Sequence, residues 1–168
     1  MSENLRVEKF RNGDIIPMAS NKNDWNRAAQ KRQPAWCYLQ DDSTNSGYGK
    51  IYNWYAVVDS RGLAPEGWHV PSQNEWETLI KNCSGSGSHR SKLNQEGFNT
   101  NFSGQRNGID GSFLVGYCTW WSSTSSDVCG RPHQSNCAWH FGVSKFDGEL
   151  SGFQDPKGGG YHVRCLKD

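Results

Sequence analysis

The stretch that most constrains the fold runs Cys137-Ala138-Trp139-His140-Phe141-Gly142-Val143-Ser144. Read with period two, Trp139, Phe141 and Val143 fall on one side, and His140, Gly142 and Ser144 on the other. This is the alternation of a strand with one face on a core and one face in water. The outward set is not the Thr, Lys and Glu usual on a solvated strand face. It mixes a His, a Gly and a Ser, as do the segments beside it. The expectation is a strand built to hold a mixed surface still, which points to a binding module without naming its ligand.

The rest of the chain must supply a core for that strand. Its 168 residues fit one domain. Only 34 % are hydrophobic, so a generous aliphatic core is not available, and 8 Trp, 6 Tyr and 7 Phe compensate. Each buried aromatic removes roughly 150–250 Å² from water. The 19 Gly and the scarcity of long periodic segments indicate a loop-rich fold rather than a helical bundle. A formal charge of +1, with Lys and Arg scattered, gives no case for nucleic acid or acidic membranes. No apolar run reaches the roughly 18 residues that a membrane span needs, so no membrane insertion is expected. Ser2 to Gly13 is polar and carries no leader pattern. That reads as a cytosolic or phage-borne chain, or one whose leader lies outside this sequence.

Along the chain, Leu5 to Phe10 alternates into an Asn12-Gly13 turn and is expected as an edge strand. Asp24 is positioned to cap a helix over Trp25 to Lys31 that Pro34 ends. Ala35 to Leu39 reads as a short buried strand. Ile51 to Val58 fits either period, and Ile51, Trp54, Tyr55 and Val58 favour helix. Trp68-His69-Val70-Pro71 leads into the clearest helix: Ser72 and Glu75 form a capping box, and Trp76, Leu79, Ile80 and Cys83 form its core stripe. Ser84 to Ser88 reads as flexible, and Lys92 to Phe113 carries little regular signal beyond turns at Asn107-Gly108 and Asp110-Gly111. Strands are expected over Thr119–Ser123, Cys137–Ser144, Glu149–Phe153 and Tyr161–Leu166, with Asp155 to Gly160 as a loop. Two helices before a β-rich half is an α+β pattern.

Several of these stretches together resemble one family. Tyr48-Gly-Lys-Ile-Tyr-Asn-Trp-Tyr-Ala-Val57, Leu63-Ala-Pro-Glu-Gly-Trp-His-Val-Pro-Ser72, Asn74-Glu-Trp-Glu77, Asp110-Gly-Ser-Phe113, Trp120-Trp-Ser-Ser-Thr124 and Val163-Arg-Cys-Leu-Lys-Asp168 are similar to the Fibrobacter succinogenes major paralogous domain, as are Met1–Asp14 and Pro34–Tyr38. Val70 to Glu77 and Gly160 to Arg164 look more distantly like formylglycine-generating-enzyme-like domains. Both resemblances imply a C-type-lectin-like fold with paired terminal strands and a displayed small sheet. The family's members are mostly surface or secreted proteins with no common enzymatic activity. Ala138 to Lys157 and Val163 to Cys165 also look like the framework of variable proteins diversified by retroelements, with the mixed residues between them as the variable part.

Chemistry on this fold would need residues the chain lacks. Iron-dependent relatives imply an HxxxHxE ligand set, and His69, His89, His133, His140 and His162 show no such spacing. Copper-dependent relatives imply a Cys pair. Cys129 and Cys137 are the nearest imitation and read as a disulfide or as two free thiols. Cys37 and Cys165, both in family-like segments, read either as bonded or as two buried thiols. Calcium takes about 6–8 oxygen ligands, and the triplets that calcium-dependent lectins use are missing; Asp155-Pro156-Lys157 reads as a solvated turn. One of Trp120 and Trp121 is expected in the core and the other near the opposite face. His69 reads as a hydrogen-bonded structural residue.

The resulting expectation is a loop-rich α+β, C-type-lectin-like domain over residues 1–168, two helices packed on small antiparallel sheets, with its ligand-facing part at about 117–160. Candidate ligand contacts are Tyr117, Arg131, His133, Gln134, Asn136, His140, Gly142, Ser144, Ser151, Phe153 and Asp155. No catalytic residue, metal ligand or cofactor is assigned. The expected role is metal-independent recognition of a protein or glycan at a cell surface, in secretion, or on a phage-like particle. The alternatives are a structural or assembly subunit of such a particle and, remotely, an oxidase.

Overall fold

Local signals account for most of the helices. The computed structural model describes residues 1–83, 87–129 and 136–168; of the expected flexible stretch Ser84 to Ser88, positions 84–86 lie outside them. Helix α1 spans Lys22–Gln30, and its cap is Asn21 rather than Asp24: the Asn21 side chain accepts the N–H groups of Asn23 and Asp24 at 2.9 and 3.0 Å. Ile51 to Val58 is split between two elements. Its first half is strand β2 (Ile51–Asn53) and its second the single turn α2 (Trp54–Val57). Asn53 makes the switch, because its Oδ1 accepts from Ala56 N–H and from Ala35 N–H, both at 3.1 Å. Helix α3 (Gln73–Cys83) carries the expected box: the Ser72 N–H and hydroxyl both donate to Glu75 Oε2 at 2.7 Å. Helix α4 (His89–Gln95) has only Leu93 buried, too little apolar pattern to be read from sequence.

Among the described residues, three antiparallel sheets pack with these helices. Strands β1 (Trp36–Cys37), β2, β9 (Gly160–Tyr161), β4 (Gly104–Arg106) and β5 (Phe113–Val115) form the largest, in the order β1-β2-β9-β4-β5. Strand β3 (Trp68–His69) pairs with β10 (Leu166–Lys167), so this pair is strand rather than the lead-in to a helix. Strands β6 (Cys118–Ser126), β7 (Cys137–Val143) and β8 (Leu150–Pro156) form the third, with β7 central. Asp155 and Pro156 therefore belong to a strand and not to a solvated turn. The N-terminal segment forms no edge strand of its own. It is threaded in by single bonds: Met1 ammonium to Cys165 O at 3.0 Å, Leu5 N–H to Val163 O at 2.8 Å and Lys50 N–H to Leu5 O at 3.0 Å.

The β6-β7-β8 sheet is a middle layer. Alternation sends Trp120 and Trp121 to opposite faces, and both are buried, which corrects the expectation that only one reaches the core. Trp120 joins Trp76, Phe141 and Leu93 against α3 and α4. Trp121 joins Tyr52, Ala138 and Tyr161 against the five-stranded sheet, with its Nε1–H donating to Tyr52 O at 2.9 Å. At about 25 cal/mol per Å², each such ring contributes at most roughly 4–6 kcal/mol of burial. Cys129 and Cys137 are joined in a disulfide. Cys37 and Cys165 are not bonded; they are buried free thiols in different core clusters. Burial pushes the Cys37 thiol up to about 12 and the Cys165 thiol up to about 11.

Candidate ligand-binding cavity

On the face of β7 turned towards the five-stranded sheet, the register sets two rows of side chains. Trp121, His140 and Phe153 lie opposite one another in the first, and Thr119, Gly142 and Ser151 in the second. The first row begins under the five-stranded sheet. His140 stacks on Tyr161 with centroids 4.4 Å apart and planes 17° apart, and on Phe153 at 5.7 Å and 28°. His140 is consequently only 5 % exposed, which corrects its expected place on a solvated face: strand alternation names the face, and Tyr161 from another sheet covers it. Phe153, at the outer end of this three-ring column, is 53 % exposed. The Tyr161 hydroxyl donates to Asp155 Oδ2 at 2.6 Å. His140 Nε2 lies 3.2 Å from the same oxygen but without the alignment of a hydrogen bond, so both ring nitrogens are buried and unsatisfied.

The second row opens into space. A Cβ at Gly142 would stand 2.8 Å from Thr119 Cγ2, so a side chain here would force Thr119 to shift. The Thr119 hydroxyl donates to Gln105 Oε1 at 3.0 Å, joining β4 to the floor. Between the β4–β5 hairpin and the β7–β8 hairpin lies a cavity of about 560 Å³. Leu114, Tyr117, Phe146 and Phe153 form apolar walls, while Gln105, Thr119, Ser151 and Asp155 supply polar groups. The Phe146 ring is 90 % exposed and Tyr117 is 49 % exposed. Ser144 sits at the hairpin end, where its Oγ accepts the Phe146 N–H at 3.2 Å.

The structure thus brings Tyr117, His140, Gly142 and Ser144 together with Ser151, Phe153 and Asp155 around one cavity. Asn136 is elsewhere. Held at φ +64°, it donates through Nδ2 to the Tyr55 hydroxyl at 2.7 Å and lines a separate hollow of about 240 Å³. Arg131, His133 and Gln134 lie outside the described residues. Gln105, Leu114, Thr119 and Phe146 were not singled out from sequence. The turns at Asn107-Gly108 and Asp110-Gly111 form the loop that joins β4 to β5 and are the signal available for the first two. His69 is bound on both sides, Nδ1 to Asp168 Oδ1 at 2.6 Å and Nε2 to Glu75 Oε1 at 2.8 Å, and these carboxylates raise its pKa. It ties the C-terminus to α3 and does not line the cavity. Among the described residues, no group of three or more His, Cys, Asp or Glu side chains is arranged to hold a metal ion.

Residues 1–167 match the family model described as the Fibrobacter succinogenes major domain. The chain belongs to that family. No curated protein and no solved structure matches it. In this Fibrobacter succinogenes major domain the stretches that carry the family resemblance build core and caps. Trp36, Tyr52, Trp54 and Trp121 are buried, and Ser72 and Glu75 start α3. None of those stretches contributes a residue to the cavity lining.

Proposed function

We propose that this domain is a non-enzymatic recognition module that holds a protein or glycan ligand in the cavity beside β7 and β8, without a metal ion. The observation that carries this reading is the cavity itself. At about 560 Å³ it joins exposed aromatic faces to polar side chains on sheet strands, and ligand sites generally occupy roughly 300–1,000 Å³. Separation of the lining from the family framework supports it further, because a constant scaffold with a distinct lining can change ligand without changing fold. The test is to screen wild type, Phe153→Ala and Tyr117→Ala against a glycan array and a displayed library of linear peptides. Hits should weaken roughly tenfold or more in the variants while Tm stays within a few degrees; hits that bind all three proteins equally would remove the reading.

A second reading, an assembly subunit, is favoured by Leu114, Val115 and Phe146, which are 37, 59 and 90 % exposed beside the cavity. It predicts a concentration-dependent oligomer in sedimentation that Phe146→Ser abolishes. An oxidase reading would need stoichiometric copper or iron in the purified protein; the joined sulfurs of Cys129 and Cys137 argue against a thiolate pair there. The same disulfide supports an oxidising compartment, hence display at a cell surface, in secretion or on a particle. A C-type-lectin-like display scaffold is supported by the N-terminal segment bonding to residues 163 and 165. Diversification by a retroelement would be tested by a neighbouring reverse transcriptase gene carrying a near-copy of the codons from Trp120 to Asp168.

A further inference from the structure

The two outer edges of the β6-β7-β8 sheet are treated differently. The β6 edge is taken throughout its middle. Trp121 N–H donates to His162 O at 3.0 Å and Ser123 N–H to Pro71 O at 2.9 Å, while the Thr124 hydroxyl accepts Gln73 N–H at 2.9 Å. On the β8 side the ladder phase is set by Ser144 N–H donating to Glu149 O at 2.9 Å. Antiparallel alternation then turns the backbone groups of Ser151, Phe153 and Asp155 towards β7, and those of Leu150, Gly152 and Gln154 outward. Leu150 agrees, since its N–H donates away from β7 to His89 Nδ1 at 3.1 Å. Beyond it, no described residue takes the outward groups of Gly152 and Gln154. Natural sheets guard such an edge with Lys, Pro, a bulge or a cover; over Ser151-Gly152-Phe153-Gln154 the chain places none of the first two. The cavity, moreover, touches all five successive residues from Ser151 to Asp155 and not every second one. It therefore reaches round the strand to its open edge.

We propose that the open edge of β8 at Gly152 and Gln154 receives an extended segment of a partner protein as an added strand, whose apolar side chains seat in the cavity against Phe153 and Tyr117. This rests on the recognition reading above and commits it to a peptide. Two outward N–H and C=O pairs, two residues and therefore about 6.8 Å apart, repeat what a neighbouring strand presents. Main-chain bonds supply affinity in this mode, and pockets for alternate side chains supply selectivity.

The test removes a backbone donor without touching the β7 ladder. Gln154→Pro deletes one outward N–H, at an edge position where proline is tolerated; Gln154→Ala keeps it. Linear peptides selected from a displayed library on wild type should bind Gln154→Pro roughly tenfold or more weakly than Gln154→Ala. The selected peptides should slow amide hydrogen exchange at Gly152 and Gln154 of wild type, a readout that holds whether or not the proline variant folds. Peptides that lose affinity with Phe153→Ala but bind Gln154→Pro normally and leave those amides unprotected would overturn strand addition while keeping the cavity reading. A screen that yields glycans and no peptides would do the same. Hits indifferent to Phe153→Ala as well would remove both.

Discussion

Both faces of β7 are built around stacked rings, and the stacks end differently. On the helix side Trp76 lies flat on Phe141, 5.3 Å apart with planes 12° apart, and on Trp120 at 5.9 Å and 23°. Helix α3 closes that stack, and Trp76, Phe141 and Trp120 are each at most 2 % exposed, while Trp139, stacked on Phe141 at 6.3 Å and 24°, is only partly buried. On the other side the column Tyr161–His140–Phe153 begins in the core and ends at Phe153, which is 53 % exposed. The same packing chemistry makes one column a foundation and leaves the other as a platform. Stability should therefore concentrate on the first and recognition on the outer end of the second.

The largest expected break in this comparison comes from Trp76→Ala. Emptying the closed stack should cost roughly 3–5 kcal/mol, whereas Phe153→Ala should cost under about 1 kcal/mol because its ring is already half in water. Urea unfolding of the two variants checks this directly, and equal costs would erase the distinction.

Acid should act next, and from the closed side. His162, whose backbone covers the β6 edge, is fully buried between Ser103 Oγ at 2.8 Å and Lys50 O at 3.0 Å. Burial lowers its pKa to about 4. The unfolded chain, titrating near 6.5, takes the proton first as pH falls. Stability from this group is full above about pH 6.5 and declines by roughly 3 kcal/mol between there and pH 4. His69 runs the other way: held charged by Asp168 and Glu75, it contributes fully below its unfolded pKa and loses that as pH rises through its raised folded value. A Tm–pH profile should peak near neutrality, and His162→Gln should flatten its acid limb.

The Cys129–Cys137 bridge closes a short loop where β6 and β7 meet. Cys129→Ser with Cys137→Ser should cost roughly 2–3 kcal/mol. It anchors both columns, so stability and ligand capture should fall together rather than separately.

The smallest effect sharpens the comparison most. His140 carries two buried ring nitrogens without hydrogen bonds, so His140→Phe should be neutral or slightly stabilising, while His140→Ala leaves a hole between Tyr161 and Phe153. A strong loss of Tm in His140→Phe would mean that the Asp155 contact at 3.2 Å matters more than its alignment indicates.

How much of this was legible depended on how local each cause is. Ser72, Glu75 and the Trp76 stripe are contained within one helix and were read correctly with their roles. The period of β7 was read too, and it sorted Phe141 from His140 and Gly142. What covers each face was not, because Tyr161 reaches His140 from a separate sheet. For the same reason Trp120 and Trp121 could be assigned to opposite faces but not both to cores. Helix α4 stayed hidden behind its single buried Leu93, and the cavity wall from Gln105 and Leu114 behind two short strands with no alternation of their own.

The most direct test of the central claim is a paired screen of wild type and Phe153→Ala, each first shown to have the same Tm. The account predicts ligands that wild type captures and the variant loses, with the difference confined to binding. Ligands captured equally by both would show that the open column is not the recognition surface.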